Sequence, residues 1–424
     1  MDDNIFCLFT TLIQNMSIGI HCWNVVHGDA NIITVEDLPK TSYVLDFGSK
    51  GSISDTVVSY AVEDAHRILK ESEHIDIFIT HLHEDHCNLL PVVTKGLKVH
   101  LVYYPAIPQP EPIAEYLGCA LAFCIIKVPR FRIIYDTLKK GAVKSLSRGD
   151  LIELDNNLYV RVLWPPSNLS NHKRVARGLE RKARELYKIV MRKSEKEGIK
   201  GEVDDLAGEI MNTLISKKEE DFERLIKDKD DKHPSPKVIW KDLEPAYSSK
   251  SDDVVDKDIR MILNGLKGVE DDINLVLKFY YGFPNSRDSS SKESKALALI
   301  PGDAPSSILD YLSLLEREEP EHHKYLAFLR ASHHGTRYGK YINEHKNVVT
   351  WISWTKRFYS KYRSYPSSKY LLNSNFLKIA EDTRVLRMYI AFSWRFPYCI
   401  LGDIGDMDVY ICDDNMDSII YLFE

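Results

Sequence analysis

Four side chains able to hold a metal ion stand within six residues: His81, His83, Asp85 and His86, in the run HLHEDH. Imidazole and carboxylate together suit zinc, manganese or iron, and a loop leaving a strand can turn several such groups toward one point. On an extended backbone the i, i+2 spacing of His81 and His83 points both the same way. Asp85 and His86, opening the next helix, can face a second ion. Without a metal, three histidines and an aspartate would have to meet at one strand end by accident. Two later strand ends carry similar groups. Asp303 closes ALALIPGD, where a carboxylate can bridge two ions, and His333-His334-Gly335 closes YLAFLRAS. Two ions roughly 3.5–4 Å apart lower the pKa of a shared water and clamp the group it attacks.

Such groups need strands to deliver them. β-Branched and aromatic runs bounded by turn residues predict strands at IGIHCWNVV (18–26) and ANIITVED (30–37), a hairpin through Gly28-Asp29, and at TSYVLDFG (41–48). A helix follows, with Ser54 or Asp55 as N-cap and Val58, Ala61, Ala65 and Ile68 as its apolar stripe. IDIFIT (75–80) is a short buried strand ending at the histidines. KVHLVYY (98–104) and two strands around Asn156-Asn157 (148–166) come next. Strand patterning resumes at INLVLKFYYG (273–282), then ALALI (296–300), YLAFLRA (325–331), VVTWIS (348–353) and IIYLF (419–423). This alternation predicts a layered α/β architecture.

Between these blocks, residues 167–272 are polar, charged and helical in pattern. Val175, Leu179, Ala183, Leu186 and Val190 share one helix face, and Leu206, Ile210 and Leu214 another. KDKDDKHPSPK (227–237) reads as a loop and NSRDSSSKESK (285–295) as an exposed hairpin loop. The expected organisation is a main domain over 1–166 and 273–424, interrupted by a charged helical insertion over 167–272.

Of the 424 residues 44% are hydrophobic and 28% charged, and the net charge of −6 excludes a globally basic nucleic-acid coat while leaving room for a local basic channel. Seven scattered cysteines without a C-x-x-C pair favour reduced thiols in a cytoplasmic protein over a disulfide framework. The apolar run at 5–13 is too short for a bilayer and lacks a basic flank, so we expect a soluble chain with no membrane partner.

H-x-H-x-D-H with a late Gly-Asp and a late His resembles the metallo-β-lactamase superfamily. More narrowly, NVVHGDA (24–30), YVLDFG (43–48), RGD…VLWPP (148–166), INLVLKF (273–279), PGDA (301–304), ASHHGT (331–336) and WIS…YPSSKYL (351–371) resemble, in order, the hydrolase domain of ComEC-type DNA-uptake proteins. The resemblance covers 18–166 and 273–371. It implies a four-layer αββα metallo-β-lactamase sandwich and one or two divalent ions, zinc or manganese. His81 and His83 would hold the first ion, Asp85 and His86 the second, and Asp303 would bridge; Asp85 and Asp303 are then the catalytic carboxylates. His333 or His334 would complete the second site, with strand direction favouring His333. Asp46 and Asp29 would orient ligands, unless they serve only their turns.

Three departures matter. Many members place a third histidine on the first ion from the strand near Trp164, where this chain has Trp-Pro-Pro. That leaves the first site open and the second the firmer. His27 replaces the family's glutamine, as an extra ligand, a substrate contact or simply a turn residue. Tyr365-Pro366 replaces a late His-Pro. A further Gly-Asp at Gly402-Asp403 follows the histidine pair, the wrong order for a bridge, and reads as a turn.

The fold hosts many hydrolases and does not choose a substrate. Two patches lean toward nucleic acid. Residues 171–200 hold eleven Lys/Arg against four Glu, and the stretch 355–370 interleaves Lys356, Arg357 and Arg363 with Tyr359 and Tyr362. Cations neutralise phosphates while aromatic faces stack bases. The leading expectation is a phosphodiesterase cleaving DNA or RNA by a metal-bound hydroxide, with action against foreign nucleic acid as an extension. Hydrolysis of a small ester, thioester or lactone is the alternative enzyme. A partner-binding effector recruited through 167–272 is the alternative of another class.

Overall fold

The strand-forming runs pair into two mixed sheets in a computed structural model. It describes residues 18–35, 40–50, 56–109, 111–138, 141–154, 157–215, 257–284, 294–353, 367, 369–370, 374–380, 387–392, 401–404, 407–412 and 418–423. The first sheet begins with β1 (Ile18–Trp23), β2 (Ala30–Val35), β3 (Thr41–Phe47), β4 (His74–Phe78), β5 (Val99–Pro105) and β6 (Ala142–Leu146). The second takes β7 (Leu151–Glu153), β8 (Leu158–Trp164), β9 (Val276–Tyr281), β10 (Lys295–Ile300), β11 (Tyr325–Arg330), β12 (Lys346–Ser353) and β13 (Ser374–Ala380). Four last strands, β14 (Arg387–Phe392), β15 (Leu401–Ile404), β16 (Met407–Cys412) and β17 (Ser418–Phe423), return to the first. The orders are β15-β16-β17-β14-β1-β2-β3-β4-β5-β6 and β13-β12-β11-β10-β9-β8-β7. In each sheet the strands that deliver the site, β3 to β6 and β10 to β13, are parallel.

The helices are α1 (Thr56–Lys70), α2 (Glu84–Cys87), α3 (Leu90–Val93), α4 (Glu111–Lys127), α5 (Pro129–Leu138), α6 (Lys173–Glu197), α7 (Lys200–Ile215), α8 (Lys257–Ile273), α9 (Ser306–Leu315) and α10 (Lys340–Asn343). Alternation along the strands sorts the core. Ile20, Ile33, Leu45 and Phe78 of the first sheet meet Val160, Val162, Leu277, Phe279 and Phe328 of the second. The opposite face of the first sheet, with Ile32, Val44 and Ile77, packs on helices. The opposite face of the second, with Val276, Leu299 and Leu326, packs on α9 and α10 through Leu309, Leu312 and Ile342.

Helix α4 is apolar on every face from Leu117 to Ile126, and such a helix must be covered. Helices α6 and α7 cover it. Leu179, Ala183, Leu186 and Val190 of α6, the stripe read from the sequence, join one hydrophobic cluster with the first sheet. The charged segment is thus continuous with the main core over its described helices. Two expectations need correcting. The run from 273 does not start as a strand: α8 extends through Ile273 and β9 begins at Val276. Gly402-Asp403 is not a turn but lies within β15. The expected N-caps Ser54 and Asp55, the apolar run 5–13 and the loop 227–237 lie outside the described residues. Among described residues no helix is long and apolar enough to cross a membrane.

Candidate metal centre

Strand β4 stops at Phe78, and the chain passes Thr80 into the HLHEDH loop, with α2 starting at Glu84. Backbone packing here is close enough to require glycine. A Cβ on Gly28 would lie 2.1 Å from the Gly48 carbonyl oxygen, and one on Gly48 would lie 2.5 Å from the backbone at Asp85 and His86. The Asp29 amide donates to the Asp85 carbonyl at 2.9 Å, which ties the VHGDA loop to the ligand loop.

Asp46 organises the histidines. Its carboxylate accepts from the Thr80 amide at 2.8 Å and the Thr80 hydroxyl at 2.6 Å. Because that hydroxyl proton is committed, His81 Nδ1, 2.9 Å from Thr80 Oγ1, is the donor to it. His86 Nδ1 stands 2.8 Å from Asp46 Oδ2 and donates there. Both rings therefore carry the proton on Nδ1 and present Nε2 inward, the arrangement metal-ligating histidines use. Asp46 itself has a left-handed backbone, φ 54°, for a non-glycine residue.

Asp303, fully buried on the turn after β10, lies at the centre. Its carboxylate oxygens are 3.1 Å from His86 Nε2, 3.6 Å from His81 Nε2, 3.8 Å from His83 Nδ1 and 3.5 Å from His333 Nε2. Asn274 holds that turn, accepting from the Asp303 amide at 3.0 Å and donating to the Pro301 carbonyl at 2.7 Å. After β11 the chain takes two consecutive left-handed steps at His333 (φ 48°) and His334 (φ 54°). Such strain persists only where surroundings enforce it. His334 is the buried one, with Nε2 2.9 Å from Asp85 Oδ2, whereas His333 is a quarter exposed and contacts Thr336. Strand direction favoured His333; His334 is the one that falls among the clustered ligand atoms.

These groups form overlapping sets whose ligand atoms lie within 4.8 Å of one another: His81, His83, Asp271 and Asp303; His86, Asp303 and His334; His27, Asp85 and His334; Asp29, Asp46 and His86. The chain can hold a metal ion here. The donor atoms fit one: His83 Nε2, His86 Nε2, His334 Nδ1, Asp271 Oδ1 and both Asp303 oxygens are buried without a hydrogen-bond partner among the described residues. Leaving so many buried polar atoms unmet costs about 1–3 kcal/mol each.

Charge reinforces the arrangement. Burial disfavours a charged His86, but Asp303 and Asp46 outweigh it and push the imidazole up to about 10. Burial likewise opposes ionisation of Asp303, yet His333 and His86 hold its carboxyl well below the usual range. Asp85 is held low against burial by Lys50, whose ammonium is 2.5 Å away, and by His334. Glu270 behaves oppositely: burial and the neighbouring Asp271 raise it to about 8. Asp29 pairs with the buried Arg330, which also donates to the Gly28 carbonyl at 2.8 Å and pins that loop to the second sheet. The His27 ring lies tilted against the His334 ring, with centroids 4.1 Å apart.

Lys50, Thr80, Arg337, Glu270 and Asp271 were not singled out from the sequence. The acidic triplet Glu270-Asp271-Asp272, in the last turn of α8, was the available signal for two of them. It was absorbed into the charge of the helical segment. Lys356, Arg357, Tyr359, Tyr362 and Arg363 lie outside the described residues. No protein-family model matches the chain, and no curated protein matches it.

Proposed function

We propose that the chain is a metal-dependent hydrolase of metallo-β-lactamase type and that it cleaves phosphodiester bonds of DNA or RNA. On this reading the succession of helices, sheet, sheet and helices is that family's four-layer sandwich. The carrying observation is the clustering of imidazole and carboxylate ligand atoms within 4.8 Å of one another around Asp303, with His86 Nε2 and both Asp303 oxygens buried and without a hydrogen-bond partner among the described residues. Zinc or manganese ions held by His81 and His83, by Asp85, His86 and His334, and by Asp303 between them would supply an activated water and counter-charge for the attacked group.

The chain's own residues set the conditions for that chemistry. Thr80 and Asp46 accept from Nδ1 of His81 and His86, so Nε2 is the nitrogen that each ring would offer to an ion. Asp85, held ionised by Lys50 and His334, is the carboxylate placed to accept the proton released from water. Lys50 and Lys267 add positive charge at the site, which suits an anionic substrate. An exposed basic row on α6 supports nucleic acid as that substrate; it borders a cleft of about 660 Å³ lined by Lys173, Arg174, Lys182 and Lys340 together with Asp272 and Asp310.

The test is metal analysis joined to cleavage assays on single- and double-stranded DNA and RNA, comparing wild type with Asp85→Ala. Metal-dependent cleavage abolished by the variant is expected. Turnover of an ester or lactone by a fully metallated protein that cuts no nucleic acid would overturn the substrate class. Cleavage appearing only with a second protein would indicate recruitment through the helical segment.

A further inference from the structure

Resting on the metal-centre reading, we propose that Asp271 is a ligand of the ion on His81 and His83, in place of the histidine this chain lacks near Trp164. The last turn of α8 is thereby tied to the site by the metal.

Asp271 uses its two oxygens differently. Oδ2 pairs with Arg337 at 2.6 Å, and the same guanidinium donates to the carbonyl of Asp303. Oδ1 has no hydrogen-bond partner among the described residues and lies 3.6 Å from His83 Nδ1. Its ligand atoms and those of His81, His83 and Asp303 fall within 4.8 Å of one another. An aspartate present only to balance Arg337 has no reason to keep its other oxygen buried and unmet beside two imidazoles. Arg337 acts as a positioning residue that fixes which oxygen faces inward.

The surroundings hold the helix end in register with the site. At the end of β8, where a histidine would otherwise stand, the Trp164 indole donates to the Asp272 carbonyl at 2.8 Å. Lys182 on α6 binds Asp272 at 2.6 Å and the Gly268 carbonyl at 3.1 Å. Past the helix, the Leu275 amide donates to the Thr80 carbonyl at 2.9 Å, one residue before His81. The helix also points its C-terminus here, and the partial negative charge of that end favours a cation. The donor set of two imidazoles and two carboxylates is oxygen-rich and accepts manganese as readily as zinc.

The experiment is metal stoichiometry by elemental analysis after manganese or zinc loading of the full chain, with hydrogen exchange of residues 257–275. Wild type is expected to bind two ions and to gain protection in α8 on loading. Asp271→Asn is expected to retain one ion, lost in turn when Asp85→Asn is added, and to gain no such protection. Two ions held with unchanged affinity in Asp271→Asn, and α8 still protected, would overturn the proposal while leaving the metal centre intact. No ion bound by wild type would instead overturn the metal reading itself. If Asp271→Asn loses its helical circular dichroism, Trp164→Phe removes the indole N–H donated to Asp272 while keeping an aromatic ring at that position. It is expected to weaken the first ion several-fold with the second unchanged, and equal affinities for both ions as in wild type would overturn the coupling.

Discussion

Two buried charged clusters flank the second sheet, and they are built on opposite principles. On its outer face Lys278 of β9 is fully buried, with its ammonium 2.6 Å from Glu319 and 2.8 Å from His345. Tyr280 and Tyr341 donate to the same carboxylate at 3.2 and 3.1 Å, and His345 Nδ1 lies 2.6 Å from the Tyr341 carbonyl. None of these polar atoms is orphaned. At the other cluster, around Asp303, six donor or acceptor atoms from five residues are. Burial and titratable groups are common to both, so neither property marks a binding site by itself. Unmet valence does. The satisfied cluster is a joint that holds β9, the loop after α9 and α10 together; the unsatisfied one can hold a metal ion.

That contrast can be broken most sharply at Asp303. Asp303→Ala removes the group common to both ligand sets and should abolish metal uptake, measured by elemental analysis. Next in size, Lys278→Met strands Glu319 in the interior and should cost about 3–5 kcal/mol in chemical denaturation without altering metal stoichiometry. A metal-affinity loss in Lys278→Met, or full metal uptake by Asp303→Ala, would erase the distinction. Asp46→Asn keeps the shape but loosens the proton placement on His86, and roughly a 10–100-fold drop in metal affinity is expected by titration.

The smallest effect is on pH. Burial opposes its charge, but Lys278 and His345 hold the Glu319 carboxyl well below its ordinary 4.5. A depressed carboxyl stabilises the fold above its ordinary titration range, and that contribution is lost as pH falls below it. The stability difference between wild type and Glu319→Gln should therefore be full at neutral pH and shrink below about pH 4.5. A difference that grows on acidification would contradict the pairing.

What the sequence revealed follows how local each feature is. His81, His83, Asp85 and His86 were legible because one loop carries them all. The α6 stripe was legible because helical periodicity is local too. Asp303 and His334 needed the order of strand ends; strand direction favours His333 as the first residue past the strand, but two left-handed residues in succession turn His334 inward instead. Asp271 was hidden by its own neighbourhood, since an acidic helix end in a charged segment reads as solvated. Lys50 and Arg337 became visible only through their partners, which lie far away along the chain. The α/β class was clear from alternation, but the boundary at 272/273 fell inside a helix because Ile273 and Leu275 are apolar in either periodicity.

The hydrogen bond between His334 and Asp85 joins residues 249 apart in the chain. That separation orders events during synthesis. The HLHEDH loop emerges early, while the turn bearing Asp303 and the strained His333-His334 step arrive much later. Closing such distant contacts is slow compared with forming local helices. A complete ligand set therefore exists only after both sheets have stacked. On the metal-centre reading, metal capture would come late in folding, and a loaded centre would report that the chain has finished it.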